Sequence, residues 1–475
     1  ADRLRRGHSM NVWRIGWRSG PGTTVLAAAA LAAIFFGIEH LPDASTRPDY
    51  APDAETMGAG FERADLGRRL GILGLGAVGA VGLVLGRNGR PVGGGVFGLA
   101  LIAFVAWPFC SVFWSEAPTV TARRAIVFGS AIWAGCGLSR ALTGRHIVWA
   151  GLLAVLMQFG VGVLTELALG TFRPWEGTYR FAGTIHPNMQ ALQLGVGIVA
   201  CAALLLRPGA GTRRWAEFRG PALCGVALAL AAFCLLTKSR TSAGGAIAAV
   251  AAVAVFVSSG PTKNLLAIGG IGLAAAAVIV LMLTGLDPTD DVREAAMMGR
   301  GEDAGSLSGR VQIWEALDQY IAARPLLGYG YLTFWSEQRL YALQAEVDFK
   351  FSGAHSAWYE AALGLGLPGA LLLATVLLGG MMRTAAAETA EQRVHAAAGS
   401  PLPAFLFGVL ALCTLNSLLE AIVADVRLTP FLMFCGLWKI AFFPDVPPVS
   451  GEPSVASAPA PLGVSPRSAE PRVAG

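Results

Sequence analysis

Twelve apolar stretches punctuate this chain, at 22–40, 70–87, 93–114, 125–142, 146–167, 188–206, 221–237, 242–258, 264–285, 356–380, 402–421 and 428–443. Each is about 17 to 25 residues, the length a helix needs to cross some 30 Å of hydrocarbon. None alternates in the manner of a membrane barrel strand, so backbone hydrogen bonds in lipid must close within helices. The expected fold is all-α: a polytopic membrane bundle of about twelve transmembrane helices. Composition agrees, with 54% hydrophobic and 14% charged residues against about 25% charged in soluble domains.

The arrangement divides into a tail at 1–21, nine spans within 22–285, a long loop at 286–355, three spans within 356–443 and a tail at 444–475. The first run lacks a small-residue cleavage site and reads as an uncleaved helix. The second tail, rich in Pro, Ser and Ala, is expected to be disordered. With both termini in the cytoplasm of a bacterial inner membrane, the short inner segments collect Arg14, Arg18, Arg87, Arg90, Arg140, Arg145, Arg207, Arg213, Arg214 and Arg219, as the positive-inside rule requires. Outer arginines are mixed with acids such as Asp43 and Glu55. The net charge of +5 leaves no electrostatic footprint for nucleic acid. Seven cysteines within or beside apolar runs, without CxxC spacing, predict no disulfide and no structural metal.

Four places on the outer side carry basic residues that the topology does not explain. The turn "LLTKSRTSAG" holds Lys238 and Arg240 against the charge bias; each also reads as a helix-end cation snorkelling to headgroups. Arg180 lies in "GTYRFAGTIHPNMQ", closely followed by His186, Pro187 and Asn188, which also read as helix-start chemistry. In "SGRVQIWEALDQYIAARP" a helix is expected from Ser308 to before Pro325. Its apolar face holds Trp314, Leu317 and Ile321, and Arg310 falls within that stripe. His355 opens the tenth span, where the helix N-terminus favours a neutral imidazole. Three arginines, a lysine and a histidine at one face form a site for an anion arriving from lipid, and guanidinium forks suit a diphosphate.

In this order, "FWSEAPTVTARR", "GTIHPNMQ", "LTKSRTSAGG", "SGRVQIWEALDQYIAARPLLGYGYLTFW" and "GAHSAWYEAALGLGLPGALLL" resemble the bacterial O-antigen ligase and O-antigen polymerase family over roughly residues 93–380. The resemblance implies a membrane glycosyltransferase acting at the periplasmic face without metal or cofactor. Its donor would be a glycan on undecaprenyl diphosphate and its acceptor a hydroxyl of lipid A-core or of a growing surface or exopolysaccharide chain, with other polysaccharide assembly proteins as possible partners. Carried over residue by residue, Arg180, Arg240 and Arg310, with Lys238, hold the diphosphate and His355 is the base. "PLLGYGYLTFW" is closest to the branch that handles exopolysaccharides, so polymerisation stands beside ligation. Many members have Asn after the histidine, where this chain has Ser356.

His186 and Glu360 are secondary candidates; Glu360 would orient the imidazole or cap its helix. Glu166 and Glu420 are reserve bases. The competing readings are a transporter of an anionic solute, a scaffold of a polysaccharide assembly machine, and a metal hydrolase built on His186, His355 and Glu360, for which no ligand spacing exists.

Overall fold

The computed structural model describes residues 20–41, 66–86, 88, 91–208, 213–258, 310–347, 351, 353–394, 399–422 and 426–445. The predicted span at 264–285, the first part of the long loop, the N-terminal tail to residue 19 and the C-terminal tail from residue 446 lie outside these residues. The described chain is helical: α1 Pro21–Glu39, α2 Leu66–Leu85, α3 Gly95–Cys110, α4 Pro118–Ala141, α5 Gly144–Leu169, α6 Pro187–Leu206, α7 Arg213–Leu236, α8 Arg240–Val257, α9 Arg310–Ala323, α10 Glu337–Val347, α11 Ala357–Val394, α12 Leu402–Ser417 and α13 Leu428–Phe442.

Eleven of the twelve predicted spans therefore fall on helices. Among the described residues eight helices are long and apolar enough to cross a membrane, which makes the chain a polytopic helical membrane protein. α12 and α13 are shorter apolar helices. α4 begins at Pro118, seven residues before its apolar run, so Arg123 and Arg124 ride on its first turns. The long loop holds α10 in addition to the expected α9.

Packing follows the glycines. α2 lies along α4 backbone to backbone: a Cβ on Gly82 would stand 2.4 Å from the Gly137 carbonyl carbon, and one on Gly137 would stand 2.5 Å from the Gly79 oxygen. Apolar burial gives little drive between helices already in lipid, so such close contact supplies the attraction. α6, α8 and α12 form a second tight group, where a Cβ on Gly408 would meet Val253 and Val199 at 2.5 and 2.6 Å.

α11 is broken at Gly366, whose φ of 71° and ψ of 179° no other residue type adopts cheaply. The break frees backbone groups that lipid could not satisfy. The "PLLGYGYLTFW" segment meets them: Tyr329 and Gly330 N–H groups donate to the Leu363 and Gly364 carbonyls at 2.8 and 2.9 Å, and Leu367 N–H donates to the Pro325 carbonyl at 2.7 Å. Trp107 donates its indole N–H to the Leu365 carbonyl at 3.0 Å. Gly328 and Gly330, both with positive φ, allow this approach, since a Cβ on Gly328 would lie 2.5 Å from the Leu363 oxygen.

A second, smaller core sits over this junction. Ile313 and Leu317 of α9, Leu340 and Leu343 of α10, Phe334 and Phe351 meet Leu363 of α11 there. That core fixes α9 against the mouth of α11, and so fixes Arg310 relative to His355.

Candidate functional site

Lys238, Arg240, Arg310 and His355 lie at or beside helix ends, and Arg180 lies in the connection between α5 and α6. The α7–α8 turn is tight: Lys238 has a φ of 54°, and Ser239 N–H donates to Thr237 Oγ1 at 3.1 Å. Arg180 crosses to this turn, donating Nε–H to the Thr237 carbonyl at 3.0 Å. Its other end donates to the Asn188 side-chain oxygen at 3.1 Å. Arg240 opens α8 two residues before Ser242, whose hydroxyl reaches the Asn188 carbonyl at 3.4 Å and Asn416 Oδ1 at 3.0 Å. Lys238 is drawn the other way, donating Nζ–H to the Gly177 carbonyl. It secures the connection that carries Arg180.

Arg310 and Asn188 meet at Glu420, just beyond α12. The Glu420 carboxylate accepts from Arg310 at 3.2 Å and from the Asn188 amide at 2.8 Å, and lies in the electrostatic field of Arg180 and Arg427. The Arg310 side chain is 15% exposed, and its Nε–H is buried without a hydrogen-bond partner among the described residues. A buried donor left unmet in this way is uncommon and costs about 1–3 kcal/mol. The expected apolar stripe of α9 is observed: Ile313 and Leu317 are buried, Trp314 and Ile321 partly so, and Gln312, Glu315 and Gln319 face outward.

His355 stands beside Arg310 with a φ of 49°. That left-handed conformation is disfavoured for a residue with a Cβ and is held by its neighbours. The preceding peptide is gripped from both sides: Ala354 N–H donates to Glu360 Oε1 at 2.8 Å, while the Ala354 carbonyl accepts from the Trp314 indole at 2.8 Å. Glu360 is itself buried and accepts from the Trp335 indole at 3.0 and 2.8 Å. It braces the segment in front of the helix. Ser356 Oγ reaches the Ser417 carbonyl at 3.5 Å, and Trp358 donates to Ser417 Oγ at 3.0 Å, tying the histidine's helix to the α12 end that carries Glu420. Burial, reinforced by the Arg310 charge, lowers the His355 pKa from 6.5 to about 4. The imidazole is neutral at physiological pH and able to accept a proton.

The remaining candidates have structural partners. His186 is the N-cap of α6, its Nδ1 accepting from Asn188 N–H at 3.3 Å. Glu166 accepts from the N–H groups of Ala182 and Gly183 at 3.0 and 2.7 Å and from the Tyr179 hydroxyl, so it folds the connection that bears Arg180. Among the described residues no cluster of three metal-ligating side chains occurs. Sequence reasoning missed Arg427, an arginine directly preceding the last apolar run, and held Glu420 only in reserve as a base. Its carboxylate is where Arg310 and Asn188 meet.

Two comparisons bear on this geometry. The O-antigen ligase family profile matches residues 224–374, from α7 to the middle of α11. Over 365 residues, 72% of this chain and 77% of the relative, the sequence is 27% identical to the exopolysaccharide production protein ExoQ of Rhizobium meliloti (strain 1021). The matched region contains Lys238, Arg240, Arg310 and His355. Arg180 and Glu420 lie outside the region the profile matches.

Proposed function

We propose, from the match of residues 224–374 to the O-antigen ligase family profile, that this chain transfers a glycan from undecaprenyl diphosphate to an acceptor hydroxyl at the periplasmic face of the bacterial inner membrane. A role of ligase or polymerase type in polysaccharide synthesis follows from the family. The likeness to an exopolysaccharide production protein favours chain polymerisation over ligation to lipid A-core. The observation that carries the chemistry is the unmet Nε–H of Arg310, buried beside a neutral histidine and within an arginine cluster.

In this reading Arg180, Arg240 and Arg310 bind the donor diphosphate, and Lys238 secures the Arg180 connection. The acceptor hydroxyl gives its proton to the His355 imidazole as its oxygen bonds to the anomeric carbon. The bond from that carbon to the diphosphate breaks, the electron pair stays on the departing oxygen, and the arginines stabilise its charge. Attack opposite the leaving group inverts the anomeric centre. The arginines supply the positive charge the leaving group needs, so the proposal calls for no metal. Diphosphate binding also opposes the Arg310 field and raises the His355 pKa, strengthening the base once the donor is present.

The test is His355→Ala in purified protein with lipid-linked glycan. Donor binding is expected to persist while turnover falls about 10²- to 10⁴-fold, the usual contribution of a general base. Full turnover in that variant would remove His355 from the mechanism. Lipid-linked glycan in a deletion strain separates the two outcomes: single repeats mark a lost polymerase, stranded long chains a lost ligase.

A further inference from the structure

The stripe of α9 that begins with Arg310 continues at the same spacing to Trp314 and Asp318. Four residues rise about 6 Å, so Trp314 stands one sugar's length beyond the arginine. Its indole stacks on the Tyr359 ring of α11, centroids 5.4 Å apart and planes 10° from parallel. The Tyr359 hydroxyl donates to Asp318 Oδ1 at 3.0 Å. The Trp314 indole N–H donates to the carbonyl of Ala354, the residue before His355.

Two features set this pair apart from ordinary core aromatics. Trp314 belongs to neither hydrophobic core of the described residues, and Tyr359 only borders the smaller one. Both rings are partly exposed, and Asp318 is exposed, whereas Ile313 and Leu317 on the same helix are fully buried. The polar atoms of both rings are spent on protein partners, which leaves ring surface beside a carboxylate. A pyranose presents one face of C–H bonds and a rim of hydroxyl donors, and matches that surface; a phosphate would be repelled by Asp318.

We infer that Trp314, Tyr359 and Asp318 form a saccharide subsite beside His355, one that takes a sugar ring of the donor glycan or of the acceptor. The inference rests on the glycosyl-transfer reading above and adds the residues that receive the sugar. The rings carry its apolar face and Asp318 accepts from its hydroxyls.

The experiment measures kcat and KM for each glycan separately, using full-length protein in nanodiscs, the lipid-linked glycan and a soluble oligosaccharide from the producing strain's own polysaccharide. Tyr359→Leu, which leaves the Trp314 bond to Ala354 in place, is expected to raise one KM about tenfold while kcat stays within about threefold, as loss of an aromatic contact predicts. A rise confined to the lipid-linked glycan assigns the ring to the donor, and a rise confined to the oligosaccharide assigns it to the acceptor. Both KM values unchanged, with or without a fall in kcat, would show that the pair only braces Ala354 and overturn the inference. Should Tyr359→Leu fail to fold, Asp318→Ala serves instead. It is expected to raise the same KM by a smaller factor, and KM values unchanged for both glycans overturn the inference equally. A fully active His355→Ala beside a raised KM in Tyr359→Leu would remove the catalytic reading and leave the subsite standing.

Discussion

Two acidic residues gather arginines in this protein, and they do so differently. Glu116, between α3 and α4, accepts from Arg324 at 2.9 Å and from Arg339 at 2.6 Å, and both guanidinium carbons lie 4.6 Å from the Tyr329 ring centre. That cluster serves the segment that meets the break in α11, and Arg339 also donates to the Phe334 carbonyl at 3.2 Å. Glu420 accepts from Arg310 at a longer 3.2 Å, and Arg310 keeps a buried donor unmet beside a histidine in strained backbone. One cluster ties elements together. The other keeps, among the described residues, a buried arginine donor without a partner, the donor that the proposed function assigns to the diphosphate. An arginine-rich motif is therefore not in itself a substrate site.

Arg310→Ala gives the largest separation between them. Charge-assisted hydrogen bonds contribute about 1.5–3 kcal/mol, so donor affinity should fall by about ten- to a hundredfold. Unchanged donor binding in an equilibrium assay would put Arg310 in the same class as Arg324.

The pH dependence sharpens the same contrast. In the proposed mechanism His355 works when neutral, and its pKa in the free protein is about 4, so kcat/KM should be level above roughly pH 5 and decline through pH 4. Removing the Arg310 charge takes away the second cause of that low value, and the acid limb of Arg310→Ala should move upward, toward 6.5. Since burial remains, the shift is partial. A limb that stays in place would mean that the arginine does not act on His355.

Arg324→Ala marks the small end. Its side chain is 43% exposed, and an exposed ion pair contributes about 0–1 kcal/mol. Thermal stability should drop slightly and activity stay within about twofold. A large loss of turnover would make the Glu116 cluster part of the site after all.

Much of the candidate site could be read from the chain because its residues violate local expectation. Arg310 sits on the apolar stripe of its helix, and Arg240 sits in a turn where the charge bias argues against it. Arg427 and Glu420 violate nothing locally: each is a charge at the end of an apolar run, the commonest place for one. Glu360 admits two roles one turn into a helix, and only the position of Ala354 and Trp335 shows which backbone it holds.

The sequence by itself determined that the chain is a helical membrane bundle, because transfer into lipid is summed along each run and a run's length and polarity are local properties. It also determined that certain cations needed partners. Only the tertiary structure decided who those partners are, that α11 breaks at Gly366 to receive the 325–335 segment, and that His355 stands beside Arg310. Those contacts join residues tens to hundreds of positions apart, and the free energy of burying a charge or an open peptide group depends on what lies across the interface rather than on what lies next in the chain.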